Sequence, residues 1–237
     1  MRAYNGERIV DLSIINPSKT GNDAKCMQRL LSDDYRKYIL TKESTHNHII
    51  FMLVSRPPDQ LPRFEYDHVV KILETVKELF MKEGPLVETG PDIYIVGDLH
   101  GSFYDMRRIY NIGRVCLSAQ KYVVTHFAES FCFLGNYVDR GDNSLDLLML
   151  LFSMKIAAHH NGRRVIMLRG NHETREMNYA KGFRAELHSK FEKEQADDLF
   201  EKFNDIFDHM PLACVIANRH LCMHGGISPK LTSLDSI

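Results

Sequence analysis

Four short loops, each entered from an apolar run, constrain this chain more than any other feature. They are IYIVGDLHG (93–101), FCFLGNYVDRG (131–141), VIMLRGNHE (165–173) and HLCMHGGISP (220–229). Short apolar runs closed by glycine and polar residues read as buried strands giving way to loops. Helical stretches lie around and between them: HVVKILETVKELFMKEG (68–84), SFYDMRRIYNIG (102–113) and NSLDLLMLLFSMKIAAHHNG (143–162). Strand, loop and helix in repetition is the α/β pattern. In such sheets polar ligands gather at the carboxyl ends of the strands. That rule brings Asp98, His100, Asn136, Asp139, Arg140, Asn171, His172 and His224 toward one edge.

The rest of the chain is less marked. MQRLLSDDYRKYIL (27–40) reads as a short amphipathic helix. SRPPDQLPR (55–63), with three prolines, reads as an extended boundary. Residues 114–130 are irregular. The stretch 180–209 is charged and punctuated by Phe183, Leu187, Phe191, Leu199, Phe203 and Phe207, as amphipathic helices are. PLACVIA and HLCMHGG form an expected hairpin turning at Asn218-Arg219. The expected division is an N-terminal extension and linker over 1–60 and a site-bearing domain over 61–237.

Composition removes several classes of function. Basic and acidic residues balance, 30 against 31, so no excess of positive charge marks a nucleic-acid binder. The N-terminus has no signal-peptide pattern. HIIFMLV (48–54) and LLMLLF (147–152) fall well short of the ~20 residues of a membrane span. Five cysteines without a CxxC pair read as reduced, largely buried thiols of an intracellular protein, cytoplasmic or nuclear. His159-His160 suits a solvated helix end. Tyr137 reads equally as a cleft residue or a packing residue.

The loop residues suit metal and phosphate chemistry. Asp98 and His100 are two apart, so a tight turn lets both face one ion, and Gly97 and Gly101 permit that turn. Asn171 offers an amide oxygen to a second ion, and His224 an imidazole. Two cations ~3.5–4 Å apart would polarise a phosphoryl group and ionise a bridging water. His172 suits a general acid, with Asp139 to orient its ring. Arg140 presents a fork of donors to phosphate oxygens. Arg169 reads as a structural ion pair or a substrate contact. Each loop alone is common; the four in this order are specific.

On GDLHG, GNYVDRG, LRGNHE and HGGISP, the chain resembles the metal-dependent serine/threonine protein phosphatases. These are the phosphoprotein phosphatase branch of the metallophosphoesterases, and the chain looks nearest the type-1 catalytic subunit. The resemblance runs from about residue 65 onward. It implies a metallophosphoesterase-type sandwich of mixed β-sheets flanked by helices, holding two Mn, Fe or Zn ions. It implies hydrolysis of phosphoserine and phosphothreonine in phosphoprotein substrates, with regulatory subunits as partners. Asp98 and His100 match ligands of the first metal, and Asn171 and His224 match ligands of the second. Asn171 also matches a phosphate neighbour. Arg140 matches a phosphate-binding arginine, and His172 with Asp139 the acid pair.

Three departures stand out. The family carries aspartate, bridging both metals, where this chain has Asn136; an amide has one neutral acceptor oxygen and donors on its nitrogen. The sequence ends at Ile237, soon after HGGISP, whereas the family's further metal-binding histidine, second phosphate arginine and active-site tyrosine lie beyond that point. The match is therefore to the N-terminal part of the catalytic domain. Residues 114–130 are longer than the family pattern, and the first 60 residues match nothing in it. The expected function is a protein phosphatase. The alternative is a binding or regulatory protein that retains the fold without turnover. A third reading, a metallophosphoesterase acting on nucleotides or nucleic acid, fits less well with Glu173 closing RGNHE.

Overall fold

The computed structural model describes residues 2–5, 8–11, 39–40, 46–55, 61–112, 130–160 and 162–237. The chain divides into two units, Met1–Tyr38 and Ile39–Ile237. In the first, β1 (Arg2–Asn5) pairs antiparallel with β2 (Arg8–Asp11). Most of the helix expected over 27–40 lies outside the described residues. Its last two positions are instead β3 (Ile39–Leu40), parallel to β4 (Arg63–Phe64). That ladder joins segments far apart in sequence, which helical periodicity within 27–40 cannot register.

Between these strands lies α1 (His46–Ser55), the run read above only as too short for a membrane span. Ile49, Ile50, Leu53 and Val54 are buried. The 18-residue helix α2 (Tyr66–Glu83) follows. It buries Val69, Ile72, Leu73, Val76 and Phe80 at the expected spacing and ends at Gly84, where φ is 71°. Next come β5 (Leu86–Thr89), β6 (Ile93–Val96) and α3 (Phe103–Ile112). Residues 113–129, with most of the expected irregular stretch, lie outside the described residues. The chain resumes with β7 (Ser130–Phe133), α4 (Ser144–His160) and β8 (Val165–Met167). Three helices succeed one another: α5 (Arg175–Ala180), α6 (Phe183–Lys190) and α7 (Lys193–Asp208). The hairpin of β9 (Ala213–Ile216) and β10 (His220–Met223) completes the site-bearing part. Its turn is one residue earlier than expected: Ala217 and Asn218 carry positive φ, and Arg219 N–H donates to Ile216 O.

Beyond the β3-β4 pair, the described strands of the larger unit form two three-stranded sheets, β6-β7-β8 and β10-β9-β5. The first is wholly parallel, and the second joins a parallel pair to an antiparallel one. Alternation along β7 turns Cys132 to one face and Phe131 and Phe133 to the other. Cys132 meets Ile166, Leu168, Val87, Cys214 and Ile216, so the two sheets share one apolar interior. The opposite face of β8 receives α4, which is buried from Ser144 to Ala158 and packs in turn on α1, α2 and α6. Phe80, Phe152, Phe183, Phe203 and Phe207 fill space among the helices with edge, stacked and tilted ring contacts. The result is the expected mixed α/β arrangement, with helices against small sheets. Among the described residues no helix is long and apolar enough to cross a membrane.

The start of α4 governs the loop before it. Ser144 N–H and Leu145 N–H donate to the two Glu186 carboxylate oxygens, at 2.9 and 3.0 Å. Lys190 binds Glu186 and Asp146 in the same cluster. A carboxylate at a helix N-terminus satisfies amides that lack partners and complements the helix dipole. The chain therefore enters α4 from one fixed direction, and residues 135–143 are held above it.

Candidate metal and phosphate site

The first two loops are bound to one another through their backbones, and the third lies against the second at Gly170. Leu99 N–H and His100 N–H both donate to Asn136 O, and Gly101 N–H donates to Tyr137 O. A side chain at Gly170 would put its Cβ 2.5 Å from the Asn136 nitrogen and Oδ1. One at Gly141 would overlap the His100 carbonyl. Glycine is needed at both because backbone meets backbone there. Four polar residues, His100, Asn136, Asp139 and Arg140, carry φ between 43° and 71°. Left-handed backbone at non-glycine residues costs on the order of 1 kcal/mol each, so surrounding structure holds it in place.

Glu173 is that structure, and reading the loops as ligands missed it. Its side chain is fully buried. Oε2 accepts Asn136 N–H at 2.7 Å and Gly170 N–H at 3.0 Å; Oε1 accepts Tyr137 N–H at 2.8 Å and Val138 N–H at 3.4 Å. Burial pushes this carboxyl above its ordinary value, and the backbone donors pull it back down. The available signal was a lone acid among residues closing a buried strand. Such a group demands partners, and here they are amides of another loop.

His172 and Asp139 come together as expected. His172 Nδ1 lies 2.7 Å from Asp139 Oδ2, with both side chains at 1% exposure or less. The other Asp139 oxygen accepts Phe183 N–H at 2.9 Å, which fixes the carboxylate against α6. Nδ1 therefore donates, and Nε2 points outward to the exposed Arg140, whose Nη2 is 3.4 Å away. The ring of His100 stands edge-on to that of His172, with centroids 4.6 Å apart.

The metal-type residues form two half-sites. His100 Nδ1 faces the Val138 carbonyl at 2.9 Å and must donate to it. Its Nε2 is buried without a hydrogen-bond partner and lies 3.3 Å from Asp98 Oδ2. His224 repeats the pattern: Nδ1 faces Leu134 O at 3.0 Å, and Nε2 faces Asn171 Oδ1 at 3.0 Å. In each half-site a ring nitrogen stands within 3.3 Å of a side-chain oxygen. A cation between them satisfies both, and the carbonyl behind each ring fixes its tautomer. The donors of each half-site thus fit a divalent ion.

The join between them does not fit. Asn136 is 4% exposed and lies where the halves meet. Its Nδ2 donates to Asp98 Oδ2 at 3.0 Å, and its Oδ1 accepts His172 N–H at 3.0 Å. A bridging ligand needs two free acceptor oxygens, whereas this amide points a donor at the first half-site. Among the described residues no three His, Cys, Asp or Glu side chains gather in a metal-holding group. The chemistry explains this, because two positions of the expected ligand set are amides.

Two other residues resolve to structural roles. Arg169 Nη2 pairs with Asp208, and its Nε donates to Glu173 O at 3.0 Å, so its side chain ties strand β8's end to α7. Tyr137 is fully buried, its hydroxyl donating to Leu168 O at 2.8 Å, and it packs in the interior. His159 and His160 are exposed at the end of α4, as expected.

Comparison with known proteins agrees with this geometry. Residues 91–237 match the family described as calcineurin-like phosphoesterase. A Caenorhabditis elegans protein provisionally named a serine/threonine-protein phosphatase is 38% identical over 71% of this chain and 42% of its own length. A second from the same organism, with the same provisional description, is 36% identical over 75% of this chain and 35% of its own. Among solved structures, a Saccharomyces cerevisiae protein serine/threonine phosphatase with similarity to human phosphatase PP5 superposes with a TM-score of 0.59 at 30% identity. That match covers 71% of this chain and 50% of the yeast chain. The chain therefore spans half or less of the length of each of these relatives. It belongs to the calcineurin-like phosphoesterase family.

Proposed function

We propose that this chain carries the metal- and phosphate-holding core of a protein phosphatase acting on phosphoserine and phosphothreonine. The observation that supports this most is the buried His172–Asp139 pair, opening through Nε2 onto Arg140 beside two cation-shaped half-sites. An alkoxide leaving group needs a proton as its bond to phosphorus breaks. Asp139 holds the His172 ring in one orientation with Nε2 turned toward the phosphate side, from which a proton on Nε2 would reach the leaving oxygen. Arg140, the exposed member, turns its guanidinium from His172 to the phosphate oxygens. Asp98 with His100 would hold one Mn, Fe or Zn ion, and Asn171 with His224 another; Asn171 also lies beside the phosphate. Bound there, the ions supply positive charge for phosphoryl oxygens and lower the pKa of water.

One observation favours a second reading, a phosphoprotein-binding or regulatory protein with impaired turnover. It is the Asn136 Nδ2–H bond to Asp98, which places a donor where both ions would share a ligand. The two readings separate in one experiment. Purified chain is assayed for Mn-dependent phosphate release from a phosphothreonine peptide, beside Asn136→Asp. Weak release that rises in the variant supports a phosphatase site held back by position 136. No release from either, with phosphopeptide binding retained, supports the second reading. Neither release nor binding defeats both.

A further inference from the structure

An open groove of 710 Å³ lies where β4 passes into α2 and faces the junction of α6 with α7. Aromatic and acidic residues alternate along its walls, Phe64-Glu65-Tyr66-Asp67 on one and Phe191-Glu192 on the other. The aromatic residues are held in place. Phe64 is buried and pairs with Leu40 in the β3-β4 ladder. Tyr66 donates to Asp198 at 2.6 Å, and Phe191 N–H donates to Leu187 O at 3.0 Å. The three acidic residues are exposed, and among the described residues none of them is in an ion pair. Glu65 and Glu192 occupy the N-cap positions of α2 and α7, yet neither side chain bonds the amides of its helix. The two cations of the lining are already engaged. Lys190 Nζ binds Asp146 and Glu186, and His188 Nε2 lies 2.9 Å from Asp197. The groove therefore carries uncompensated negative charge, although the whole chain is near neutral at −1. A concave surface with one sign of charge draws the opposite sign, and aromatic faces attract Lys and Arg.

We propose that this groove docks a short extended segment of a partner protein in which basic residues alternate with apolar ones. The apolar side chains cover Phe64, Tyr66 and Phe191, and the cationic heads reach Glu65, Asp67 and Glu192 while their stems lie along the rings. The volume exceeds that of one side chain, and the groove is open, so a segment can continue past it. Other ligands fit less well. An anionic partner, nucleic acid included, meets three carboxylates of its own sign. A wholly apolar one strips water from those carboxylates and returns no hydrogen bond. The groove is separate from the metal and phosphate residues, so docking there does not rest on the phosphatase reading. It does share an element with them. Helix α6 lines the groove with its last turn, and its first residue, Phe183, donates its N–H to Asp139. A docked segment thus lies one short helix, about 12 Å, from the residue that orients His172.

The test is fluorescence anisotropy of the whole chain with a short labelled peptide alternating Lys and Phe. Binding is expected, and it weakens as salt rises because exposed charges are screened. Asp67→Lys/Glu192→Lys is expected to lose about tenfold in affinity. Glu78→Lys/Asp235→Lys makes the same change in net charge at exposed positions outside the groove, and affinity is expected to hold. A peptide alternating Lys and Gly is expected to bind about tenfold more weakly than the Phe peptide, since it leaves the rings uncovered. Carbodiimide coupling of the Phe peptide to the unaltered chain, mapped by mass spectrometry, should join its Lys amines to Glu65, Asp67 or Glu192. That mapping decides the matter even if the groove variant fails to fold. No binding, equal loss in both double variants, equal binding of the Gly peptide, or coupling only elsewhere overturns the proposal. So does a dimer, seen by light scattering, that Asp67→Lys/Glu192→Lys dissolves, because a second copy then fills the groove. Absence of phosphatase activity counts against the proposed function and leaves the docking groove standing.

Discussion

The two three-stranded sheets serve the site unequally. The parallel sheet β6-β7-β8 delivers three loops, and these are fastened to each other by backbone hydrogen bonds and by Glu173. The mixed sheet delivers one loop, from β10, whose His224 meets the others through the Leu134 carbonyl and the Asn171 amide. Residues 225–230 beyond it are exposed. Two histidines of one site therefore stand on different foundations. His172 is part of the interior, and its geometry is inseparable from the fold. His224 is half-buried, held by one carbonyl and one amide at the rim, and its geometry is a ligand matter. Residues of the first region are expected to fail in stability and function together, and those of the second in function alone.

Glu173→Gln is the strongest challenge to that division. An amide cannot accept four N–H bonds, and its NH2 would face amide donors. The variant is expected to lose about 3–5 kcal/mol by denaturant unfolding, together with its Mn binding. An unchanged unfolding midpoint would remove Glu173 from its assigned role. Asn136→Asp acts at the seam between the regions. It exchanges the donor facing Asp98 for a second oxygen, and the expected Mn content rises from one ion or none to two by metal analysis, with phosphate release up about 10–100-fold. Unchanged metal content would show that position 136 is not what separates the half-sites.

His224→Asn should weaken Mn binding about tenfold while moving the unfolding free energy by no more than about 0.5 kcal/mol. A large stability loss there would erase the contrast between the sheets. The smallest effect lies far from the site. Tyr66 donates to Asp198 at 2.6 Å, and that bond is the main reason its phenol is pushed up to about 12. The folded value exceeds the ordinary one of about 10, so the contribution is whole below pH ~10 and is lost as pH rises through 12. Tyr66→Phe is expected to flatten the fall in stability across that window, read by unfolding at stepped pH.

Much of the architecture could be read from spacing. Six apolar positions at helical intervals in 68–84 gave α2, and all but Leu79 are buried. The strands before each loop were legible because they are short, apolar and closed by glycine. Helix α1 was not, because its apolar run is too short to distinguish a core helix from a strand; packing against α4 settles it. β3, β4 and β5 were missed for a related reason. Their partners lie elsewhere in the chain, and two- to four-residue ladders leave no periodic trace.

The site divides along the same line. Residue types and their order were enough to nominate Asp98, His100, Asn136, Asp139, Arg140, Asn171, His172 and His224, since a side chain's chemistry is fixed covalently. Which partner each one meets was decided by folding. Asn136 meets Asp98 and His172, Glu173 gathers the amides of a loop some 36 residues away, and Cys132 and Cys214 join one buried cluster from different sheets. Hydrogen bonds and packing act over a few ångströms, so they depend on how strands and helices close around one another. Local spacing carries no record of that closure.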